Sequence, residues 1–401
     1  MVKTDYLESK VMEIKDWVID IRRDFHQYPE LGLEEYRTRD KIIGHLKDMG
    51  IENKIVANTG VVGIIKGKSK GKTVALRADI DALPMDDKKD VPYKSKIDGK
   101  MHACGHDAHT AILLGASKVL NDIKDNINGN IILLFQPAEE TVGGALPMIE
   151  EGVLEDPYVD GVFGLHVDNS LETGQIGIKY GQMKAASDMI RIIIYGKNSH
   201  GAYPQDGIDA IAIAGQVLVA LQTVVSRNVD PRSSAVLTIG TIKGGYARNI
   251  IADKVEMEGI VRTLKEESRK LVLHRIKNIV EKTPQPLGGK GELMRTESYT
   301  ALINDDDMVD IVGKNGLELL GENNVYQMPY PSFGVEDFSY FAAARPSAFF
   351  HLGSGNREKG IIYSGHTPYF DIDEDCLTKG ILLQVKNALE FLKKKNRNRE
   401  V

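Results

Sequence analysis

The stretch Lys100-Met-His-Ala-Cys-Gly-His-Asp-Ala-His-Thr110 places three histidines and one of the chain's two cysteines within eight positions, just ahead of the apolar run Ala111-Ile-Leu-Leu-Gly-Ala116. Imidazole and thiolate are good ligands for borderline metal ions. Three other apolar runs end in ligand-type groups: "TVALRADIDALP" in Asp79 and Asp81, "IILLFQPAEE" in Glu139 and Glu140, and "GVFGLHV" in His166. If these runs are parallel strands, their polar ends converge on one rim, which is where open α/β sheets bind ligands. Cys104 and His106 join that rim from the loop before the next helix.

Taken singly, each residue has an ordinary explanation. An Asp at a strand end commonly caps a turn or helix, paired glutamates commonly open a solvated helix, and an interior histidine is commonly just hydrogen-bonded. Together, at successive strand ends, they lead us to expect a metal site. The mixture of thiolate, imidazole and carboxylate suits zinc, manganese, cobalt or nickel and not calcium or magnesium. The ligands outnumber those of one catalytic zinc, which points to two ions about 3.5–4 Å apart, bridged by a thiolate or a carboxylate. Only one of Glu139 and Glu140 need bind; the other is placed to act as general base toward a metal-activated water.

The elements that must carry these groups are legible too. In the first half, apolar runs such as "VVGIIKG" and "GNIILLFQ" alternate with helical patterns over Asp107–Leu120 and "ALPMIEEGVL", an α/β signature with a mainly parallel sheet. From about Ser187 the pattern becomes β-α-β-β-α. It takes in "SDMIRIIIYGK", a helix over Ile208–Val225, "AVLTIGTIKGG", "DKVEMEGIVRTL" and "KEESRKLVLHRIKNIVEK", with a closing strand near Glu292–Ser298. That order fits a ferredoxin-like α+β domain. After about residue 300 the α/β style returns, up to a final helix over Cys376–Lys394. We therefore expect a discontinuous catalytic domain, residues 1–184 and 296–401, interrupted by a second domain at 185–295.

Composition excludes other classes. The chain is 42% apolar and 27% charged, an ordinary globular mixture, and its net charge of −6 over 401 residues names no partner. No Lys/Arg-dense face is read outside "LKKKNRNRE", taken as a solvated tail, so no nucleic-acid partner is expected. The charged amino terminus does not read as a signal peptide, and none is expected. The apolar run within Ile208–Ser226 carries Asp209 and Gln216 and reads as too short for a bilayer, so no membrane is expected. Cys104 and Cys376 lie too far apart in sequence to outline a disulfide framework, and a reducing cytoplasm is the expected location.

Across nearly its whole length the chain resembles the M20 family of metallopeptidases and amidohydrolases. The resemblance is strongest to the branch of hippurate hydrolases, N-acyl-amino-acid amidohydrolases and indoleacetyl-amino-acid hydrolases. It rests on an ordered set: "RRDFHQYPELGLEEYRT", "RADIDALP", "HACGHDAHTA", "LLFQPAEE", "VFGLHV", "GKNSHGAYPQDGIDAI", "EDFSYF" and "HTPYFDIDED". The resemblance implies metal ligands at Cys104, His106, Glu140, His166 and His366, with Cys104 as bridge. It implies Glu139 as general base and Asp81 as the carboxylate behind a ligand that orients it. The inserted domain would then be a lid and dimerisation domain. Its His200 would stabilise the developing oxyanion in a partner subunit's site, and Asn249 and Arg262 would hold the substrate's α-carboxylate. For Arg262 a strand-face ion pair is the plain alternative. His109 is a candidate to touch substrate. His102 is expected to pack locally, His26 to have a helix-end role, and His45 and His274 to lie at the surface. His351 could face site or core, and Glu336 and Asp337 carry no assigned role.

Three departures from the family's pattern bear on the pocket and not on the ligands: Ala252 where proline is usual, Leu264 where an aromatic is usual, and "PSFGVEDF" without the common Gly-Gly. The expected activity is metal-dependent hydrolysis of an N-acyl amino acid or small N-blocked peptide by a homodimer, or a tetramer. A deacetylase acting on N-acetyl-diaminopimelate and a carboxypeptidase are the rivals within the class. Outside it stand a Cys104 nucleophile with a histidine partner, and a metal-holding binding protein without turnover.

Overall fold

The computed structural model describes residues 2–394; the last residues of the basic tail lie outside the described residues. The chain forms two compact units. One comprises the residues up to Met183, Ile303–Tyr330, and Asp337 onward; the other comprises Lys184–Leu302 and Pro331–Glu336.

The first unit begins with helices α1 (Thr4–Glu13), α2 (Lys15–Gln27) and α3 (Tyr36–Asp48). Strands β1 (Glu52–Val56), β2 (Gly60–Lys66) and β3 (Ser69–Asp79) follow, then helix α4 (His106–Asp122). Strands β4 (Asn128–Gln136), β5 (Gly161–Glu172) and β6 (Ile176–Ile178) complete its first segment, and Val325–Gln327, Ser347–Gly355 and the helix Asp375–Lys393 come from the later ones. One eight-stranded sheet results, in the order β1, β2, β4, β3, β5, Ser347–Gly355, β6, Val325–Gln327. Its centre is parallel: β3 pairs in parallel with both β4 and β5, and β5 with Ser347–Gly355. These strands are buried on both faces, which is why they read as continuous apolar runs without alternation. The antiparallel pairs β1–β2 and β2–β4 close one side of the sheet.

Helix α4 is buried on all sides from His106 to Ser117, the signature of a helix in the core of a large unit. Gly105 caps it at φ 83, and a Cβ there would stand 2.3 Å from Val167 Cγ2. Only glycine lets the chain turn so tightly between Cys104 and His106.

The second unit is a four-stranded antiparallel sheet in the order Ala235–Gly244, Lys254–Thr263, Ala186–Tyr195, Lys290–Glu297. Helices Ala210–Thr223 and Glu266–Lys282 pack on it through a core that includes Ile192, Val217, Leu221, Met257, Val272 and Ile276. This is the ferredoxin-like arrangement the sequence pattern anticipates. One expectation needs correcting. The first of these helices continues through a π turn, Val224–Asn228. The 19-residue segment Ala210–Asn228 is therefore long and apolar enough, by length and composition, to cross a membrane. Its stripe Ala210, Ile213, Ala214, Val217 and Leu221 is buried in the core of this unit.

Candidate metal centre

Because β3, β4 and β5 run parallel, their carboxyl ends do share one rim. Asp79 ends β3 with Asp81 two residues on, Glu139 and Glu140 follow β4, and His166 lies within β5. Cys104 stands just ahead of α4 and His106 is its first residue. His366 arrives from a distant loop at φ 61, its backbone N–H donating to the Ala103 carbonyl at 2.8 Å.

The imidazoles of His166 and His106 are each aimed by a hydrogen bond on the far side. His166 Nδ1–H donates to the Val167 carbonyl (2.7 Å), which directs Nε2 at Cys104 Sγ, 3.3 Å away. His106 Nδ1–H donates to Asp81 Oδ1 (3.2 Å), and Asp81 Oδ2 accepts the Glu140 N–H (2.9 Å). One carboxylate thereby fixes the tautomer of His106 and the position of Glu140 together. The inner side is less well satisfied. Among the described residues His106 Nε2 is buried without a hydrogen bond, and Glu140 Oε1 has no aligned one, although His366 Nε2 lies 3.1 Å away. A buried polar atom left unpaired is expensive; a cation between these groups would satisfy both.

The donor atoms fall into two sets, Cys104–His106–His166 and Cys104–Glu140–His366, each within 4.8 Å. Only Cys104 belongs to both. Glu139, 8% exposed, groups with His106 and Glu140 at the same spacing. The residues thus fit two cations sharing one thiolate. Burial pushes the Cys104 thiol up, with His106 opposing. A nucleophilic or metal-binding cysteine needs the opposite shift, which a cation beside the sulfur would supply.

Behind the ligands lies a buried network that sequence reasoning did not assemble. Asp79 is pulled well below the usual carboxylate range. Burial opposes this, but Arg77, His106 and His109 outweigh it. Arg77 Nη1 donates to Asp79 at 2.7 Å and Nη2 to Asp337 at 2.9 Å, and Gln136 and the Ala145 N–H also donate to Asp337. The available signal was an arginine inside an apolar strand, "VALRAD", which demands buried carboxylates.

His109 differs from its expected place beside substrate. Its Nδ1–H donates to Asp79 (2.5 Å), its Nε2 accepts the Val167 N–H (2.9 Å), and the residue is 1% exposed. Both nitrogens are used in tying β5 to β3, which leaves none for a substrate. His351 faces neither core nor solvent fully; its Nδ1–H donates to Asp168 Oδ2 at 2.6 Å, in register with His166. His26 is buried against Asp107 (2.7 Å) and Asp87 (3.2 Å). His102 is buried beside the His26 ring, neither of its nitrogens having a hydrogen-bond partner among the described residues, and burial lowers its pKa to about 3. His45 is half-buried edge-on to Trp17 and not at the surface, while His274 is exposed.

In the second unit, Ser199–His200 pairs with Ile250–Ile251, and the Gly201 N–H donates to the Asn249 carbonyl, so His200 and Asn249 lie together. Both are exposed. Arg262 is half-buried, its Nη1 unpartnered among the described residues, and burial alone lowers its pKa. No strand-face carboxylate pairs with it among those residues. Glu336 is buried, 3.7 Å from Lys184.

A model of peptidase family M20/M25/M40 matches residues 75–389. The chain is 40% identical to thermostable carboxypeptidase 1 of Saccharolobus solfataricus over 97% of its length and 98% of the relative's. It is 41% identical to the N-acetyl-L-cysteine deacetylase of Bacillus subtilis over 94% of its length and 88% of the relative's. Among solved structures, the YXEP protein of Bacillus subtilis, described as a dinuclear metal binding peptidase of the M20 family, superposes with a TM-score of 0.83. That match is 33% identical and covers 95% of this chain and 99% of the other.

Proposed function

For this chain, which belongs to peptidase family M20/M25/M40 and is a metal-dependent amide hydrolase, we propose N-acyl amino acids or small N-blocked peptides as substrates, cleaved to a carboxylic acid and a free amino acid. The observation that carries this reading is the pair of ligand sets meeting at Cys104, with a buried carboxylate, Glu139, beside them. Cys104, His106 and His166 would hold one divalent ion, and Cys104, Glu140 and His366 the other; manganese, zinc, cobalt and nickel all suit the donors. When bound, such ions polarise the scissile carbonyl and make a water acidic enough to lose a proton near neutral pH.

The chain's own residues do the rest. Glu139 takes the proton from the attacking water and returns it to the leaving amine. Asp81 keeps His106 and Glu140 aligned. The half-buried guanidinium of Arg262, its Nη1 unpartnered among the described residues, fits the free carboxylate of an amino-acid product moiety, with Asn249 as a second donor. His200 stabilises the negative charge on the carbonyl oxygen. The unit carrying these three is the proposed lid and dimerisation domain, and the two free cysteines suit a reducing cytoplasm. A second reading, removal of C-terminal residues from peptides, is favoured by the carboxypeptidase named above; it uses the same centre.

The test is amino-acid release from N-acetyl, N-benzoyl and diaminopimelate derivatives and from short N-blocked peptides. Wild type, Glu139→Gln, and chelated protein reloaded with manganese or zinc would be compared. The expected result is metal-restored turnover that Glu139→Gln abolishes at unchanged metal content. Turnover indifferent to both treatments would overturn the reading.

A further inference from the structure

The segment that carries Glu139 and Glu140 has an unusual backbone. Ala138, directly ahead of them and fully buried, has φ 56, a left-handed conformation that a Cβ disfavours. Several contacts hold it there. Its carbonyl accepts the Gly143 N–H at 2.9 Å, and Asp81 accepts the Glu140 N–H at 2.9 Å. Gly32 lies against the turn so closely that a Cβ would stand 2.4 Å from Thr141 Oγ1 and 3.0 Å from Ala138 Cα.

The remaining hold comes from a carboxylate outside the ligand set. Glu35 occupies the cap position of α3 without capping it, because Glu30 accepts the Arg37 and Thr38 N–H groups instead. The Glu35 side chain is fully buried. Its Oε1 accepts the Ala138 N–H (2.8 Å) and its Oε2 the Thr59 hydroxyl (2.6 Å). A buried carboxylate held only by such neutral donors needs a reason to be there.

We propose that Glu35 is a positioning residue for the hydrolysis: by accepting the Ala138 amide it holds the left-handed turn that sets Glu140 among the metal ligands and Glu139 beside them. This rests on the reading of Glu139 as general base. The hold does not require a charge, since a neutral carboxyl or a carboxamide presents the same carbonyl acceptor to Ala138.

The test compares Glu35→Ala, Glu35→Gln and the double variant Glu35→Ala/Ala138→Gly, with Glu139→Gln alongside. Kinetics, metal content and amide hydrogen exchange over residues 137–143 would be read for each. Glu35→Ala is expected to lower kcat about 10²-fold with KM little changed and to speed exchange in that segment. Glu35→Gln should retain kcat within a few-fold. The double variant should regain about tenfold, because glycine adopts the turn without a Cβ penalty. Unchanged kcat and exchange in Glu35→Ala, or a Gln variant no better than Ala, would overturn the proposal. If Glu35→Ala does not fold, the wild-type Ala138 amide decides: protected supports the hold, as fast as an open loop overturns it. If Glu139→Gln stays active the base reading fails, and the exchange data still decide the part played by Glu35.

Discussion

His106 and His166 sit on regular structure, a helix start and a strand, and each ring is fixed by a hydrogen bond on its far side. His366 reaches the same thiolate from a loop, at positive φ, with its side chain 57% exposed. Ligands already held in place lose little freedom when an ion binds, whereas a more exposed ring on a loop loses more. The two proposed ion sites, alike in donor count, therefore differ in rigidity. The fold would hold one ion firmly and leave the other exchangeable, which suits a centre that must admit water and substrate on one side only.

The largest effect should separate the two sites directly. His106→Ala or His166→Ala is expected to reduce turnover to background and remove the tightly held ion. His366→Ala should still retain one ion per chain after dialysis, read by elemental analysis. Equal losses from both kinds of variant would erase the distinction. Next, Asp81→Asn should weaken metal binding about 10–100-fold, since it serves a ligand of each set; calorimetric titration of stripped protein would show it.

A smaller effect compares the two units. Arg262→Ala should raise KM about 10–100-fold for substrates with a free carboxylate, and much less for their amides, while metal content stays put. A similar rise for both substrate kinds would remove Arg262 from carboxylate recognition.

The last concerns pH and stability, not turnover. Glu35 has an ordinary carboxyl pKa of 4.5 when unfolded, raised to about 7 in the fold by burial, with the Thr59 bond opposing. The fold thus holds this proton more tightly, and the resulting stabilisation is full below pH 4.5 and lost as pH rises through about 7. Glu35→Gln cannot titrate, so its stability relative to wild type should improve by about 2–3 kcal/mol from pH 4 to pH 8. Parallel pH profiles of the two proteins, in denaturant melts, would contradict this.

Much of the site could be read from sequence because parallel strands place their ends together and every strand-end ligand belongs to an apolar run that announces itself. The α+β unit was legible for a similar reason, since the order of its elements nearly determines its sheet. Long-range polar partners were not legible. Arg77 meets Asp337 across 260 positions, and no local period records that pairing. Glu35 stood in a quoted motif with no role assigned, and nothing local announces that its side chain turns inward to the Ala138 amide. His109, one turn after His106, looked available for substrate, but the Val167 amide that engages it is contributed by a different strand. The end of the helix from Ala210 was missed because a π turn carries it to Asn228, past the expected Val225.

The most direct test of the centre is a metal titration of stripped Cys104→Ala beside wild type. Because Cys104 belongs to both donor sets, both binding steps are expected to weaken in the variant. If one ion still bound with wild-type affinity, Cys104 would serve a single site and the shared-thiolate centre would be wrong.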